Sequence, residues 1–196
     1  GVNMNQKTNE TKHLLAESLK RRMTHYPFDR ITIKDITDEA GFIRATFYNH
    51  FKDKYDLVEW IFREEIIAPG EYYFQKGEYR EGIRLMLSNI ERDKAFYLKA
   101  VKIEGQNSFE QMVFRAFFAL IGEILRENPP QMEGAPHLFQ PEILAEYYAT
   151  AETFLLMKWL RDGMSFRAEE VEKAHWFLIS VSLEDIRKEI SASEKE

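Results

Sequence analysis

Thr32-Ile33-Lys34-Asp35-Ile36, then Ala40-Gly41-Phe42, then Arg44-Ala45-Thr46-Phe47-Tyr48-Asn49-His50-Phe51 is the stretch that decides how this chain reads. It predicts two short helices broken by a glycine. Thr32 is a good N-cap, and Asp35 three residues on places a carboxylate in the first turn, a weaker relative of the capping box. Ile33, Ile36 and Ala40 recur at spacings of three and four and give the first helix one apolar face. Gly41 can take a positive φ, so it ends that helix and lets the chain turn sharply. In the next helix Phe47 and Phe51 lie four apart and pack inward, leaving Arg44, Ala45, Tyr48 and Asn49 on other faces. That layout is a helix-turn-helix, in which the second helix enters the major groove of B-DNA.

The flanks complete a small domain. Thr11 is placed to cap a helix whose Leu14, Leu15, Leu19 and Met23 have helical spacing, running to about His25, where Pro27 forces the chain out of helix. The polar stretch before it, to Asn9, reads as a loose arm. Lys52-Asp53-Lys54 interrupts the pattern before Tyr55, Leu57, Val58, Ile61 and Phe62 begin a fourth helix. The expected core is Leu15, Leu19, Phe28, Ile36, Phe47 and Phe51. An amphipathic bundle corner without nucleic acid would share that core. It would not explain Tyr48, Asn49 and His50 following a core aromatic, with Lys52 and Lys54 just beyond.

Residues Thr11 to Phe62 resemble the DNA-binding domain of the TetR family of bacterial transcriptional regulators. The matching pieces are Thr32 to Ile36, Ala40-Gly41, Ala45 to Phe51, and Lys54 with Leu57. The resemblance implies an all-α homodimer. A three-helix, homeodomain-like helix-turn-helix domain (residues 9–64) binds a palindromic double-stranded DNA operator, and a larger helical domain (residues 65–192) binds a small-molecule effector and dimerises. It further implies base contacts from Arg44, Ala45, Thr46 and Asn49, with Lys34 contributing from the preceding helix, and phosphate contacts from Tyr48, His50 and Lys54. Thr11 and Thr32, at expected helix N-termini, and Lys52 join the phosphate set. Arg44 leads the base readers because arginine bonds guanine bidentately, worth about 1–3 kcal/mol of discrimination. Thr46 has two uses: its methyl against thymine, or its hydroxyl bonded back within the helix. Two departures stand out. Ile43 occupies the position where the family often has Ser or Thr as recognition-helix N-cap, and Pro27-Phe28-Asp29 replaces the glycine that commonly ends the first helix.

Charge adds a condition. The net charge is −6, wrong for a protein that coats DNA indiscriminately. Up to Glu65 acids and bases roughly balance, and the acidic surplus lies beyond. DNA binding then needs a one-sided basic face, with Lys12, Lys34, Arg44, Lys52 and Lys54 forward and Asp38, Glu39 and Glu59 away. With 44% hydrophobic residues a core is assured, and zero cysteines exclude disulfides, a thiol nucleophile and a cysteine-based zinc site. No membrane-spanning run or signal peptide is visible, and a cytoplasmic protein is expected.

The remainder reads as helices: Tyr79 to Glu91, Lys94 to Glu104, Phe109 to Glu127 capped by Ser108, Glu142 to Asp162 and Ala168 to Ile190. Breaks fall at Pro69-Gly70, at Gly105 to Asn107, in an irregular stretch from Pro129-Pro130 through Gly134 and Pro136 to Pro141, and at Gly163. The last two helices are apolar over more than one face, which asks for a second partner. Leu144, Tyr148, Leu155, Trp159, Ala174, Leu178 and Val181 are the expected dimer contacts. An effector pocket is expected from Phe96, Tyr97, Phe109, Met112, Phe117, Tyr147, Phe154 and Met157. Phe96-Tyr97, Gly105 to Phe109 and Lys158 to Gly163 are similar to the C-terminal domain of the dihydroxyacetone-kinase regulator type, some members of which activate transcription through a partner protein.

Enzyme chemistry finds no footing. The five histidines have no metal-ligand spacing, and no phosphate loop or nucleophile elbow occurs, so no cofactor is expected. A second reading stays open: an interaction module acting through a protein coregulator, with weak or no DNA binding of its own. The acidic balance and the missing cap at Ile43 speak for it.

Overall fold

The computed structural model describes residues 4–127, 134 and 139–185, and every regular element among them is helical. In chain order these are α1 (Met4–His25), a 3-10 turn (Phe28–Arg30), α2 (Ile33–Ala40), α3 (Arg44–Tyr48), α4 (Lys54–Phe62), a π turn (Arg63–Ile67), α5 (Ala68–Phe74), α6 (Tyr79–Arg92), α7 (Lys94–Ala100), α8 (Phe109–Glu127), α9 (Pro141–Arg161) and α10 (Ala168–Ser180). The architecture is the expected one: an N-terminal helix-turn-helix unit followed by a larger helical bundle.

Local chemistry sets the first unit. Thr32 accepts from the Asp35 amide at 3.1 Å while Asp35 Oδ2 accepts from the Thr32 amide at 2.8 Å, so the short aspartate closes a full capping box. Gly41 ends α2 at φ 76°, and its neighbour Phe42 bonds back to the Thr37 carbonyl. Asp53 caps α4 through the Asp56 amide at 2.8 Å, a signal hidden inside the charged Lys52-Asp53-Lys54 run. Leu15, Leu19, Met23, Ile36 and Phe47 are fully buried between these helices.

Three expectations are corrected. α1 starts at Met4, so Thr11 is not an N-cap; it lies inside the helix and its hydroxyl donates to the Lys7 carbonyl at 3.0 Å. Gln6, Lys7 and Glu10 have long unbranched side chains that tolerate helix without burial, so the polar stretch needs no core to hold it. Pro69-Gly70 does not break the chain either. α4, the π turn and α5 are contiguous, and the π turn ends two positions before Pro69. Pro69 has no N–H to give the Glu65 carbonyl four residues back, and the buried Asn89 amide supplies that bond at 3.0 Å. Finally, α10 stops at Ser180. Val181 is extended and Ser182 caps a new turn by accepting from the Asp185 amide at 3.1 Å. Pro129-Pro130, Pro136 and the helix expected through Ile186 to Ile190 lie outside the described residues.

The bundle is joined to the first unit by shared core and shared charge. The Phe62 ring meets Phe109 and Phe117 edge-on, with centroids 5.7 and 5.9 Å apart. Lys20 of α1 reaches Glu65 and Asp93, each at 2.6 Å, and Glu59 of α4 accepts from Arg115 of α8 at 2.9 Å. Burial works against the Lys20 charge, but the hydrogen bonds it donates to Asp93 and Glu65 outweigh that and hold the ammonium above its ordinary value. Within the bundle α8 packs along α9, α10 on α6, and α5 against α6. There a Cβ at Gly82 would stand 2.3 Å from the Phe74 ring, so only glycine allows that approach.

Candidate nucleic-acid interface and bundle cavity

Recognition-helix side chains divide cleanly by burial. Phe47 is fully buried, while Arg44, Ala45, Tyr48 and Asn49 are exposed and Thr46 is half-buried. Phe47 thus anchors α3 by its one apolar face and aims the other side chains outward. Among the described residues Arg44 makes no ion pair, leaving its five N–H donors free. Lys34 on α2 is exposed and pairs with Asp38, which a DNA contact would have to replace. Ile43 provides no side-chain cap to α3 and is itself exposed. The helix N-terminus therefore keeps free N–H groups.

Around this face, Thr32 spends its hydroxyl on the capping box, and Lys52 is exposed. His50 is half-buried; burial first, then the nearby Lys12 charge, lowers its pKa below the ordinary 6.5. Lys54 has a different employment. Its ammonium donates to the carbonyls of Phe28 (2.7 Å), Ile31 (3.0 Å) and Asp29 (3.3 Å) and lies 4.4 Å from the Phe28 ring centroid. An ammonium has three protons, so this lysine locks the turn ahead of α2 and burial lowers its pKa.

In the bundle a cavity of about 420 Å³ lies between α5, α6, α8, α9 and α10, its wall almost entirely carbon. Phe74, Ile83, Met86, Leu120, Leu156 and Trp176 are among its lining residues. Of the eight residues expected around a pocket, Phe117 alone lines it. Phe96, Tyr97, Phe109 and Met112 are packed into the core shared with α4, and Met157 is buried without reaching the cavity. Tyr147 and Phe154 face outward, 69% and 67% exposed. Phe96 and Tyr97 are adjacent on one short helix that packs on α1 and α9, so its buried face serves the domain joint instead. The lining also includes Glu152 and His175, bonded at 2.9 Å between Oε2 and Nδ1.

A family model described as bacterial regulatory proteins, tetR family, matches residues 20–61, and one described as transcriptional regulator C-terminal region matches residues 77–174. The chain belongs to the TetR family. The HTH-type dhaKLM operon transcriptional activator DhaS of Lactococcus lactis is 22% identical over 181 residues, covering 90% of this chain and 91% of that protein. The solved dihydroxyacetone kinase operon activator DhaS superposes with a TM-score of 0.61 at 22% identity, covering 86% of this chain and 93% of that one. A putative TetR-family regulator from Syntrophomonas wolfei (TM-score 0.59, 19% identity, 89% and 98% covered) has the same fold. So does the fatty acid degradation regulator FadR of Bacillus halodurans (0.59, 11%, 87% and 95%).

As a TetR-family member the chain is a DNA-binding regulator rather than an enzyme. No group of three or more His, Asp or Glu able to hold a metal occurs among the described residues, and no helix there is long and apolar enough to cross a membrane. On α9, Ile143, Tyr147 and Phe154 form an exposed apolar row; on α10, Ala174, Phe177 and Leu178 form another, with Val181 half-buried just past its end. Of the expected dimer contacts, Leu144 is half-buried, and Tyr148 and Leu155 reach the cavity wall. Trp159 belongs to the subunit's own core, where its indole N–H donates to the Phe166 carbonyl at 2.8 Å. Tyr147 and Phe154, expected in the pocket, are thus more exposed than Tyr148, Leu155 and Trp159, expected at the seam. Neighbouring apolar residues on a helix are a turn fraction apart, and composition alone does not say which side meets the outside.

Proposed function

We propose that this TetR-family protein is a homodimer that reads a palindromic operator with α3 of each subunit in successive major grooves, about 34–36 Å apart. The observation that carries the reading is the outward face of α3. Arg44, Ala45 and Asn49, with Thr46 at the edge, meet bases, while Tyr48, His50, Lys52 and the Thr32 terminus of α2 meet phosphates. Lys34 reaches bases by exchanging Asp38 for DNA. Lys54 serves the contact indirectly by fixing the turn before α2, and Thr11, inside α1, has no free helix N-terminus to offer phosphate. The apolar rows on α9 and α10 close against those of a second copy, because exposed apolar helix faces of this extent mark an interface. The cavity takes a small-molecule effector that favours a dimer with its α3 helices mis-spaced, releasing a repressor from DNA.

A second reading of the sign has its own support: DhaS of Lactococcus lactis is named as a transcriptional activator. In that case a partner protein joins the DNA-bound dimer. Selection of bound duplexes from a random pool, followed by affinity against salt, tests the core of the proposal. A palindrome bound with steeply salt-dependent affinity supports it. No enrichment by a folded dimer, with or without cell extract, removes it. A reporter behind the selected operator then gives the sign.

A further inference from the structure

The cavity does not end in apolar wall. Phe74, Tyr79, Leu120 and Ile124 line both it and an adjoining mouth of about 220 Å³, which also presents Glu71, Glu123 and Glu127. None of the three carboxylates forms a salt bridge among the described residues. No lysine or arginine lines cavity or mouth, and the sequence from Asn128 to Gln140 contains neither. Glu71 is half-buried, and burial first, then the Glu123 charge, raises its pKa above the ordinary value even though Arg63 opposes the shift. The fold therefore holds two carboxylates within electrostatic reach of each other, while the nearby Arg63 forms its ion pair with Glu59.

Inside the cavity a separate observation points to a ligand. His175 is more than nine-tenths buried in the wall; its Nδ1 is bonded to Glu152 and its Nε2 has no partner. The buried Trp176 indole N–H also lacks a partner, but its ring is covered by the Arg80 guanidinium, 4.7 Å from the centroid. Carboxylates accept hydrogen bonds and donate none. What they lack is a donor, and at the mouth a positive one. The stacked Phe74 and Tyr79 rings at the junction add aromatic faces that attract cations.

Resting on the effector-cavity reading above, we propose that the effector is a lipophilic cation, with its apolar body in the cavity and a protonated amine in the Glu71–Glu123 mouth. An anionic amphiphile of the same shape is rejected, because its carboxylate would enter a site that already holds four glutamates and no lysine or arginine.

Three probes of one shape test this: 4-phenylbutylamine, 4-phenylbutan-1-ol and 4-phenylbutanoate, titrated calorimetrically into the full-length protein at neutral pH. The amine is expected to bind at least ten-fold tighter than the alcohol, and the acid more weakly than either. Adding salt should shrink the amine's advantage. The double variant Glu71→Gln/Glu123→Gln should bring the amine to the alcohol's affinity and leave the alcohol unchanged, whereas Ile83→Trp, which fills the cavity, should weaken both. Amine and alcohol binding equally, or the acid binding best, overturns the lipophilic-cation assignment alone. If none of the three binds the folded wild-type protein, the cavity is not an effector site, and the underlying reading falls with it.

Discussion

The two halves of this chain bury their apolar residues to different degrees of completion. The helix-turn-helix unit closes its own core: Leu15, Leu19, Ile36 and Phe47 have no exposed surface, and the side chains left outside are mostly polar. The bundle leaves a cavity of about 420 Å³ and two exposed apolar rows, with Tyr147 and Phe154 about two-thirds exposed. The first unit is finished as a single chain and acts through its surface. On the proposed function, the second is completed by other molecules, a ligand inside and a second copy outside. In one molecule, then, rigidity is spent on reading DNA and incompleteness on being regulated.

The largest expected effect breaks the closed half. Phe47→Ala removes a fully buried ring and should cost about 3–5 kcal/mol, since little room exists for collapse. Ile83→Ala, in a wall that already faces empty space, should cost clearly less. Urea denaturation of both variants makes the measurement. Equal losses would mean that the cavity wall is packed as tightly as the recognition unit, and the comparison would not stand.

The next prediction strikes the open half from outside. Phe154→Asp puts a charge into the α9 row and should weaken dimerisation by about 2–4 kcal/mol, the range of an interface anchor. The subunit fold should survive, because that side chain is two-thirds exposed. Sedimentation reads the dissociation and thermal melting the fold. A variant that stays dimeric at micromolar concentration would place the seam elsewhere.

Why the two halves differ in legibility follows from the range of their interactions. Thr32 and Asp35, Gly41, Phe47 and Phe51 act over three to four residues, and the structure repeats what their spacing implies. The outward set Arg44, Ala45, Tyr48 and Asn49 follows from the same spacing, because one buried phenylalanine fixes the rotation of α3. The cavity instead needs five helices at once. Nothing local says that Glu152 meets His175, 23 residues on, or that Asn89 replaces the N–H that Pro69 lacks. Lys54 shows the limit even inside the clear half. Its position is legible, but its three carbonyl partners lie 23 to 26 residues earlier.

On the recognition face, Arg44→Ala should weaken operator binding by about 1–3 kcal/mol and relax preference at the base it reads. Lys52→Ala should lower affinity more evenly across sequences and flatten its salt dependence. Competition binding to the selected operator and to single-base variants of it separates the two behaviours. If Arg44→Ala lost affinity uniformly, the residue would be a phosphate contact.

The smallest effect tests whether the closed half owes its clarity to local bonds. Thr32→Ala removes the α2 cap and should cost about 1 kcal/mol. Its pH dependence carries more information than its size. The hydrogen bonds from the Thr32 hydroxyl and amide hold the exposed Asp35 carboxyl below its ordinary value of 3.8. A carboxylate with a depressed folded pKa lends stability above its unfolded value and loses it as pH falls through the folded one. The gap between wild type and Thr32→Ala should therefore be widest near pH 7 and narrow below about pH 4, as Asp35 protonates and the reciprocal bond weakens in the wild type. Urea denaturation of both proteins at pH 7 and pH 3.5 measures it. A gap that stays constant would assign the cap to the hydroxyl–amide bond alone, with Asp35 contributing nothing through its charge.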